Sequence, residues 1–216
     1  MNTSVRRILT RLSYRALRRG LYGFTRLAVG AYPCGALPVN ERQTLFFANH
    51  TSHLDTLTML AVLSTHAKVA ARPVAARDYW GATAARQWVA EKILRVVFID
   101  RQRVQDADPL EPVHEALRQG SSLIFFPEGT RRDQELPGPF KSGLYHLALA
   151  HPQVQLVPVY LENLHRILPK GSWLPVPLIN NVCFGEALTL DPCESKESFL
   201  ARAHALVCNL APGSDS

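Results

Sequence analysis

Residues 44–55 read TLFFANHTSHLD, an apolar run of strand length that leads through a polar segment into a helical pattern. The same order recurs along the chain. The strand candidates are residues 44–49, 67–72, 95–100, 122–127, 154–161 and 180–188. The helix candidates are residues 54–64, 78–93, 109–119, 141–150 and 195–210. This alternation predicts an α/β fold with a largely parallel central sheet flanked by helices, and functional side chains at the carboxyl ends of its strands.

The net charge of the chain is concentrated at its N-terminus. The 216 residues are 47% hydrophobic, which is enough for one domain with a complete core. The formal net charge is +6, and residues 1–40 contain seven arginines but no aspartate or glutamate. The remaining basic and acidic residues nearly balance. We therefore predict a basic amphipathic helical segment over residues 1–36 and a main domain over residues 37–216.

Residues 3–29 have the period of an amphipathic helix with two different stripes. One stripe is apolar (Val5, Ile8, Leu9, Leu12 and Ala16), and the other is basic (Arg7, Arg11, Arg15 and Arg18). Such a helix is typical of binding to an anionic membrane surface. The alternative is a helix that packs its apolar stripe on the domain, and nucleic acid is not an expected partner. No apolar run is long enough for a membrane span or a secretory signal.

The four cysteines, Cys34, Cys183, Cys193 and Cys208, are scattered and form no C-x-x-C pair. This pattern indicates a reduced chain of the kind found in the cytosol.

The segment NHTSHLD, residues 49–55, allows three interpretations. His50, His53 and Asp55 could bind a metal ion, but their spacing matches neither a zinc protease helix nor a common metallohydrolase motif. Alternatively, Asp55 at a helix start could fold back onto His50, fix its tautomer and leave a general base. The third interpretation is a capped turn, with His53 in packing or capping. We favour the base, which would act on a substrate hydroxyl because no G-x-S-x-G nucleophile elbow is present.

Further polar clusters follow other predicted strands. In FFPEGTRR, residues 125–132, Gly129 permits close backbone approach and Arg131 offers a donor fork suited to a phosphate. Asp100 and Arg101 end the third predicted strand, and Lys141 precedes a helix. Each could instead be a solvated charge or a surface salt bridge. Three clusters at strand ends nevertheless predict one shared site.

These motifs together resemble those of the glycerolipid acyltransferases. NHTSHLD, VVFIDR, FPEGTR and VPVYLEN occur in that family's order, and the resemblance covers about residues 38–190. Within that family the chain resembles the bacterial 1-acylglycerol-3-phosphate (lysophosphatidic acid) acyltransferases. The resemblance implies transfer of a fatty acyl group from acyl-CoA or acyl carrier protein to the free hydroxyl of the lysophospholipid, giving phosphatidic acid.

The resemblance also implies roles for individual residues. His50 would be the general base, and Asp55 would orient it. The acceptor site would contain Glu128, Gly129, Thr130 and Arg131, with Arg131, Arg101 and more weakly Lys141 on the phosphate. Val157 and Pro158 would line the acyl side. No metal or bound cofactor is expected.

The family further implies a peripheral enzyme on the cytoplasmic face of the inner (plasma) membrane. Three alternatives remain at this point. They are an acyltransferase acting on another lysolipid, such as a lyso-ornithine lipid or a different lysophospholipid, a thioesterase or metallohydrolase, and a catalytically silent membrane-binding module.

Overall fold

The computed structural model describes residues 3–35, 42–52, 54–64, 70–100, 108–132, 134–162 and 180–212. Three sequence predictions fall wholly or partly outside these ranges: the packing or capping role of His53, the phosphate role of Arg101, and the first half of the strand predicted at 67–72.

A seven-stranded sheet forms the centre of the fold. Its strands are β1 (Ala31–Gly35), β2 (Thr44–Ala48), β3 (Ala71–Ala76), β4 (Val97–Ile99), β5 (Ser122–Phe125), β6 (Gln155–Leu161) and β7 (Asn180–Phe184). They lie in the order β1-β7-β6-β2-β5-β3-β4. Every neighbouring pair is parallel except β6–β7. The predicted α/β fold with a largely parallel sheet is confirmed.

Helices cover both faces of the sheet. They are α1 (Thr3–Val29), α2 (Asp55–Val62), α3 (Arg77–Trp80), α4 (Ala84–Trp88), α5 (Glu111–Arg118), α6 (Gly143–Ala150) and α7 (Lys196–Cys208). A π-helical segment, Val89–Leu94, continues α4. Side chains of α1, α2 and this segment form one core cluster with Phe46, whereas α5, α6 and α7 pack with Leu45 and Phe47 on the other face. Alternating residues of β2 therefore serve opposite cores, as the two-residue period of a strand requires.

Three of the predicted elements differ from the structure, two of them at a proline. Residues 31–35 lie in the segment 1–36, which the sequence pattern predicts to be helical, but they form β1, which contains Pro33 at the edge of the sheet, where proline is tolerated. The strand predicted at 67–72 instead runs from Ala71 to Ala76 and includes Pro73. This strand pairs with β5 up to Pro73 and with β4 from Val74, so proline lies where the partner changes. The helix predicted over 78–93 is divided near Gly81.

The prediction of a fully reduced chain is wrong for two of the four cysteines. Cys34 and Cys183 form a disulfide that joins β1 to β7. The two residues are 149 positions apart in sequence, yet they are direct partners in the parallel register. The pairing of two distant strands brings the thiols together, and nothing in the local sequence of either cysteine indicates it. Cys193 and Cys208 are free.

Helix α1 contacts the domain through Arg18 of its basic stripe and through aromatic side chains, whereas Arg7, Arg11 and Arg15 are exposed. The guanidinium of Arg18 donates from Nε to the carbonyl oxygen of Ile93 (2.7 Å), and Tyr14 packs edge-on against Trp88. Further along the helix, Tyr22 and Val29 are buried.

The apolar stripe of α1 (Val5, Ile8, Leu9 and Leu12) is exposed. The alternative in which this stripe packs on the domain is therefore wrong. No helix in the described ranges is long and apolar enough to cross a membrane. The boundary between residues 1–36 and 37–216 stays a prediction, although β1, which lies before it, belongs to the central sheet.

A pair of histidines joins α5 to the end of α6. Nδ1 of His114 lies 2.8 Å from Nε2 of His151, and Nε2 of His114 lies 3.4 Å from a carboxylate oxygen of Asp108. Burial, followed by the neighbouring His114 and Arg118, lowers the pKa of His151 below its ordinary value. The folded state therefore favours neutral His151.

This histidine pair predicts a stability that depends on pH. In the unfolded chain His151 takes up a proton near its ordinary pKa of about 6.5, whereas the folded protein resists protonation until lower pH. The free energy of unfolding should consequently fall as pH drops from about 6.5 towards the lower pKa of the folded state. Urea titrations at a series of pH values measure this free energy. Its dependence on pH should be weaker in His151→Gln than in the wild-type protein, whereas His146→Gln, at an exposed site on α6, should keep the wild-type dependence. The same pH dependence in all three proteins would contradict this role of His151.

Candidate active site

The carboxyl ends of two neighbouring strands place the central residues of the site. Strands β2 and β5 are adjacent and parallel, so the segments that follow them emerge at the same edge of the sheet. Asn49, directly after β2, donates to the carbonyl oxygen of Leu161 (3.1 Å) and accepts from its amide (2.7 Å). These two buried hydrogen bonds join the end of β2 to the end of β6 and fix the position of the backbone that leads into His50.

His50 and Asp55 form a close pair at this edge. Nδ1 of His50 lies 2.7 Å from Oδ2 of Asp55, which is the folding-back that the sequence spacing predicts. Asp55 is fully buried, whereas 20% of the His50 side chain is exposed. A carboxylate can only accept, so Nδ1 carries the proton and Nε2 has the free lone pair. Nε2, the ring nitrogen that Asp55 does not contact, is thus able to take a proton from a bound molecule.

The local backbone explains why Asp55 can hold this position. It is the first residue of α2, where the free amides and the helix dipole favour a negative charge. The same oxygen that contacts His50 also accepts from the amides of Thr51 (2.7 Å) and Ser52 (2.9 Å). Three donors therefore converge on Oδ2 and hold the carboxylate rigidly beside the imidazole.

An aromatic ring fixes the plane of the imidazole. The ring of Phe126 stacks on that of His50 with centroids 4.2 Å apart and an angle of 18° between the planes. Phe126 directly follows β5, so it reaches His50 through the same strand pairing. This contact could not be foreseen from the residue types, because FFP resembles an ordinary buried strand end.

Glu128 is buried and binds two backbone amides. Its Oε1 accepts from the amide of His50 (2.8 Å), and its Oε2 accepts from the amide of Gly138 (2.9 Å). The amide of Arg132 in turn donates to the carbonyl oxygen of His50 (2.9 Å). The turn over residues 128–132 is therefore attached to both backbone groups of His50. The predicted contact of Glu128 with an acceptor molecule stays a prediction.

Glu128→Gln tests whether this residue positions His50 or binds substrate. An amide side chain has one accepting oxygen, so one backbone N–H would face an NH₂ group and lose its partner, at a cost of about 1–3 kcal/mol. We expect a lower thermal midpoint and a lower kcat with little change in KM for the acceptor. Glu115→Gln, at an exposed site on α5, is the matched control. A rise in the acceptor KM at constant kcat would instead support direct binding of the acceptor.

A tight turn brings several predicted acceptor-site residues together. Gly129 has a φ of 68°, in the left-handed region that favours glycine. A Cβ atom at this position would lie 2.8 Å from Nζ of Lys141, so the lysine side chain lies directly over the turn. Thr130 and Arg131 are exposed on the same turn. The turn thus presents two cationic side chains next to the segment that holds His50.

Other predicted site residues lie elsewhere. Asp100 follows β4, which is separated from β2 by two strands, and its carboxylate pairs with Nε of Arg77 at 3.2 Å. Asp100 therefore lies apart from the clusters that follow β2 and β5, which meet, whereas Arg101 lies outside the described residues. Val157 and Pro158 are buried on β6 beside β2, and their predicted role at the acyl chain stays a prediction. Among the described residues, no group of three or more histidine, cysteine or acidic side chains is placed to hold a metal ion.

Comparison with known families gives one match over most of the chain. The family model described as Acyltransferase matches residues 35–162, which include His50, Asp55 and the turn at 128–132. The solved structure of the 1-acyl-sn-glycerophosphate (LPA) acyltransferase PlsC from Thermotoga maritima superimposes with a TM-score of 0.69. It covers 91% of this chain and 79% of the other at 20% identity, a likeness of fold.

Two curated relatives are both described as 1-acyl-sn-glycerol-3-phosphate acyltransferases. The chain is 38% identical over 120 residues to 1-acyl-sn-glycerol-3-phosphate acyltransferase alpha of Ovis aries, covering 54% of this chain and 39% of the relative. It is 34% identical over 115 residues to a probable 1-acyl-sn-glycerol-3-phosphate acyltransferase of Mycoplasma pneumoniae, covering 51% of this chain and 41% of the relative. The matched region thus spans well under half the length of either relative.

Proposed function

The chain belongs to the acyltransferase family, and on that premise we propose that it acylates 1-acylglycerol-3-phosphate to phosphatidic acid in phospholipid biosynthesis. The acyl donor is acyl-CoA or acyl carrier protein. The observation that carries the proposal is the 2.7 Å contact between His50 and the buried carboxylate of Asp55. The names of the curated relatives support the choice of lysophosphatidic acid as acceptor.

The reaction requires one proton to move twice. Nε2 of His50 takes the proton from the acceptor hydroxyl as its oxygen attacks the thioester carbonyl of the donor. Asp55 stabilises the imidazolium that forms, because its charge lies 2.7 Å from Nδ1. The tetrahedral intermediate then expels the thiolate, and the imidazolium returns the proton to its sulfur. The products are an ester and a free thiol.

The acceptor phosphate binds at the turn over residues 128–132 in this proposal. Arg131 supplies a planar fork of donors, and Lys141 adds a positive charge beside Gly129. Arg101 is a further phosphate ligand that follows from the family resemblance. Glu128 and Thr130 complete the acceptor side, with Glu128 also holding the backbone of His50. The reaction proposed here needs no metal ion and no bound cofactor.

The acceptor can be tested with a panel of lysolipids. Purified protein receives labelled palmitoyl-CoA with EDTA present, and lysophosphatidic acid, lysophosphatidylcholine, a lyso-ornithine lipid or monoacylglycerol as acceptor. We expect phosphatidic acid as the main product and little reaction with monoacylglycerol, which lacks the phosphate. Preferential acylation of the lyso-ornithine lipid would assign a different acceptor, and free fatty acid alone would indicate a hydrolase.

We also propose that α1 binds an anionic membrane surface at the cytoplasmic face of the inner (plasma) membrane. Its apolar stripe faces away from the domain, and the arginines of the same segment suit lipid phosphates. This would hold the enzyme where its lipid substrate resides.

The membrane role of α1 predicts the effect of a charge on its apolar stripe. Leu9→Asp should lower binding to anionic vesicles about tenfold or more, because burial of a leucine contributes about 1.5–3 kcal/mol. Leu149→Asp, at an exposed leucine on α6, is the matched control and should leave binding unchanged. Flotation with phosphatidylglycerol vesicles measures both. Equal binding by both variants would contradict a membrane role for this stripe.

A further inference from the structure

A surface cavity lies between the end of α1 and the start of β1. Its volume is about 310 Å³, and Gly23, Arg26, Leu27, Ala31 and Tyr32 line it. The two glycine positions on this part of the helix, Gly20 and Gly23, are open, since a Cβ atom at either would meet nothing within 4 Å. Gly23 thus leaves room for a ligand at the mouth of the cavity.

Arg26 gives this cavity a positive charge that is not neutralised nearby in sequence. The Nε atom of Arg26 is buried and has no hydrogen-bond partner within the described part of the chain. No acidic residue occurs in residues 1–40. Arg26 lines the cavity, and a phosphate is a ligand that the planar donor fork of an arginine fits well.

The rim of the cavity is apolar and exposed. Leu27 is 87% exposed and Tyr32 is 53% exposed, and both line the cavity. Neighbouring exposed apolar side chains of this size are typical of a surface that binds a membrane or another partner. A tyrosine beside a leucine is typical of the interface between lipid headgroups and acyl chains. The surroundings of Arg26 therefore suit the phosphate of a lipid, whose chains would contact the rim.

The cavity also lies at the same edge of the sheet as the catalytic pair. Strand β1 runs parallel to β7, which is antiparallel to β6, so the start of β1 at Ala31 lies near the carboxyl end of β6. His50 follows β2, the neighbour of β6, at that edge. Three strand spacings separate β1 from β2, a distance of roughly 15 Å along the sheet.

We propose that the cavity between α1 and β1 binds the phosphate of an anionic phospholipid of the bilayer through Arg26. Leu27 and Tyr32 contact the acyl chains of that lipid. The bound lipid would seat the edge of the sheet that carries His50 against the membrane. This inference rests on the proposed membrane association of α1 and adds a defined lipid site to it.

Two matched pairs of variants test this site. Wild type, Arg26→Gln, Arg19→Gln, Gly23→Leu and Gly20→Leu are floated with phosphatidylcholine vesicles with and without phosphatidylglycerol. The readout is selectivity, the ratio of the two partition coefficients, because added leucines can raise binding to any bilayer. Circular dichroism and the thermal midpoint establish that each variant is folded.

A defined site predicts unequal effects within each pair. Arg26→Gln should lower selectivity at least about tenfold, whereas Arg19→Gln, an exposed arginine on the same helix, should lower it about fivefold or less. Gly23→Leu, which fills the cavity, should lower selectivity about tenfold, and Gly20→Leu should preserve it. Equal losses for both arginines, or full selectivity in Gly23→Leu, would overturn the proposal.

A lack of selectivity in the wild-type protein would also overturn this lipid site. It would leave the proposed acyl transfer untouched, because that reaction is measured separately for the wild-type protein with lysophosphatidic acid in detergent micelles.

Discussion

Replacement of His50 by alanine is expected to lower kcat/KM for acyl transfer by about a thousandfold or more. The variant retains the backbone bonds of residue 50 to Glu128 and Arg132 but has no group that takes the proton of the acceptor hydroxyl. Labelled acyl transfer to lysophosphatidic acid measures the loss. The fold should survive, because the side chain is partly exposed and its main packing contact is the stack on Phe126.

His146→Ala is the control for the His50 variant, since His146 is an exposed histidine on α6. It should keep full activity. A His50→Ala protein that is folded and retains more than about a tenth of wild-type activity would remove His50 from the role of general base.

Asp55→Asn is expected to separate the charge of this residue from its hydrogen bonds. The three donors that converge on Oδ2 require an accepting oxygen there, so the asparagine places its carbonyl oxygen in that position. The imidazole keeps its tautomer, but the imidazolium loses the negative charge that stabilises it. We expect kcat to fall about a hundredfold to a thousandfold.

Asp55→Ala should damage both activity and folding. It leaves the amides of Thr51 and Ser52 and the imidazole without an acceptor, and each unpaired buried amide costs about 1–3 kcal/mol. The free energy of unfolding, measured with urea, should therefore fall by several kcal/mol in Asp55→Ala and less in Asp55→Asn. If Asp55→Asn retained wild-type kcat, the charge of Asp55 would have no part in the reaction.

The strand end and the helix start that hold His50 and Asp55 could be predicted because their signals are local. The run TLFFA is apolar and strand-like, and Asp55 lies at the start of a helical pattern five residues after His50. Only two conformational features are needed to bring them together: a strand end and a helix start. The spacing was therefore sufficient to predict the contact.

Other parts of the site depend on partners that the sequence does not reveal. Glu128 accepts hydrogen bonds from two backbone amides. Because nearly every residue has a backbone amide, the residue types do not indicate which amides Glu128 contacts. Strand β1 and the disulfide depend on β7, and Cys34 and Cys183 are 149 residues apart. The side of α1 that faces the domain could not be predicted either, because Arg18, which belongs to the basic stripe, donates to the carbonyl oxygen of Ile93 on the domain.

The most direct test of the account is whether the thiol of the donor is released only when an acceptor hydroxyl is present. Purified protein is mixed with palmitoyl-CoA, with and without lysophosphatidic acid, and free thiol and phosphatidic acid are measured together. A base that activates the acceptor predicts no thiol release without lysophosphatidic acid, and one thiol for each phosphatidic acid formed when it is added. Thiol release at the same rate without the acceptor would contradict the account, because water or a protein nucleophile would then attack the thioester.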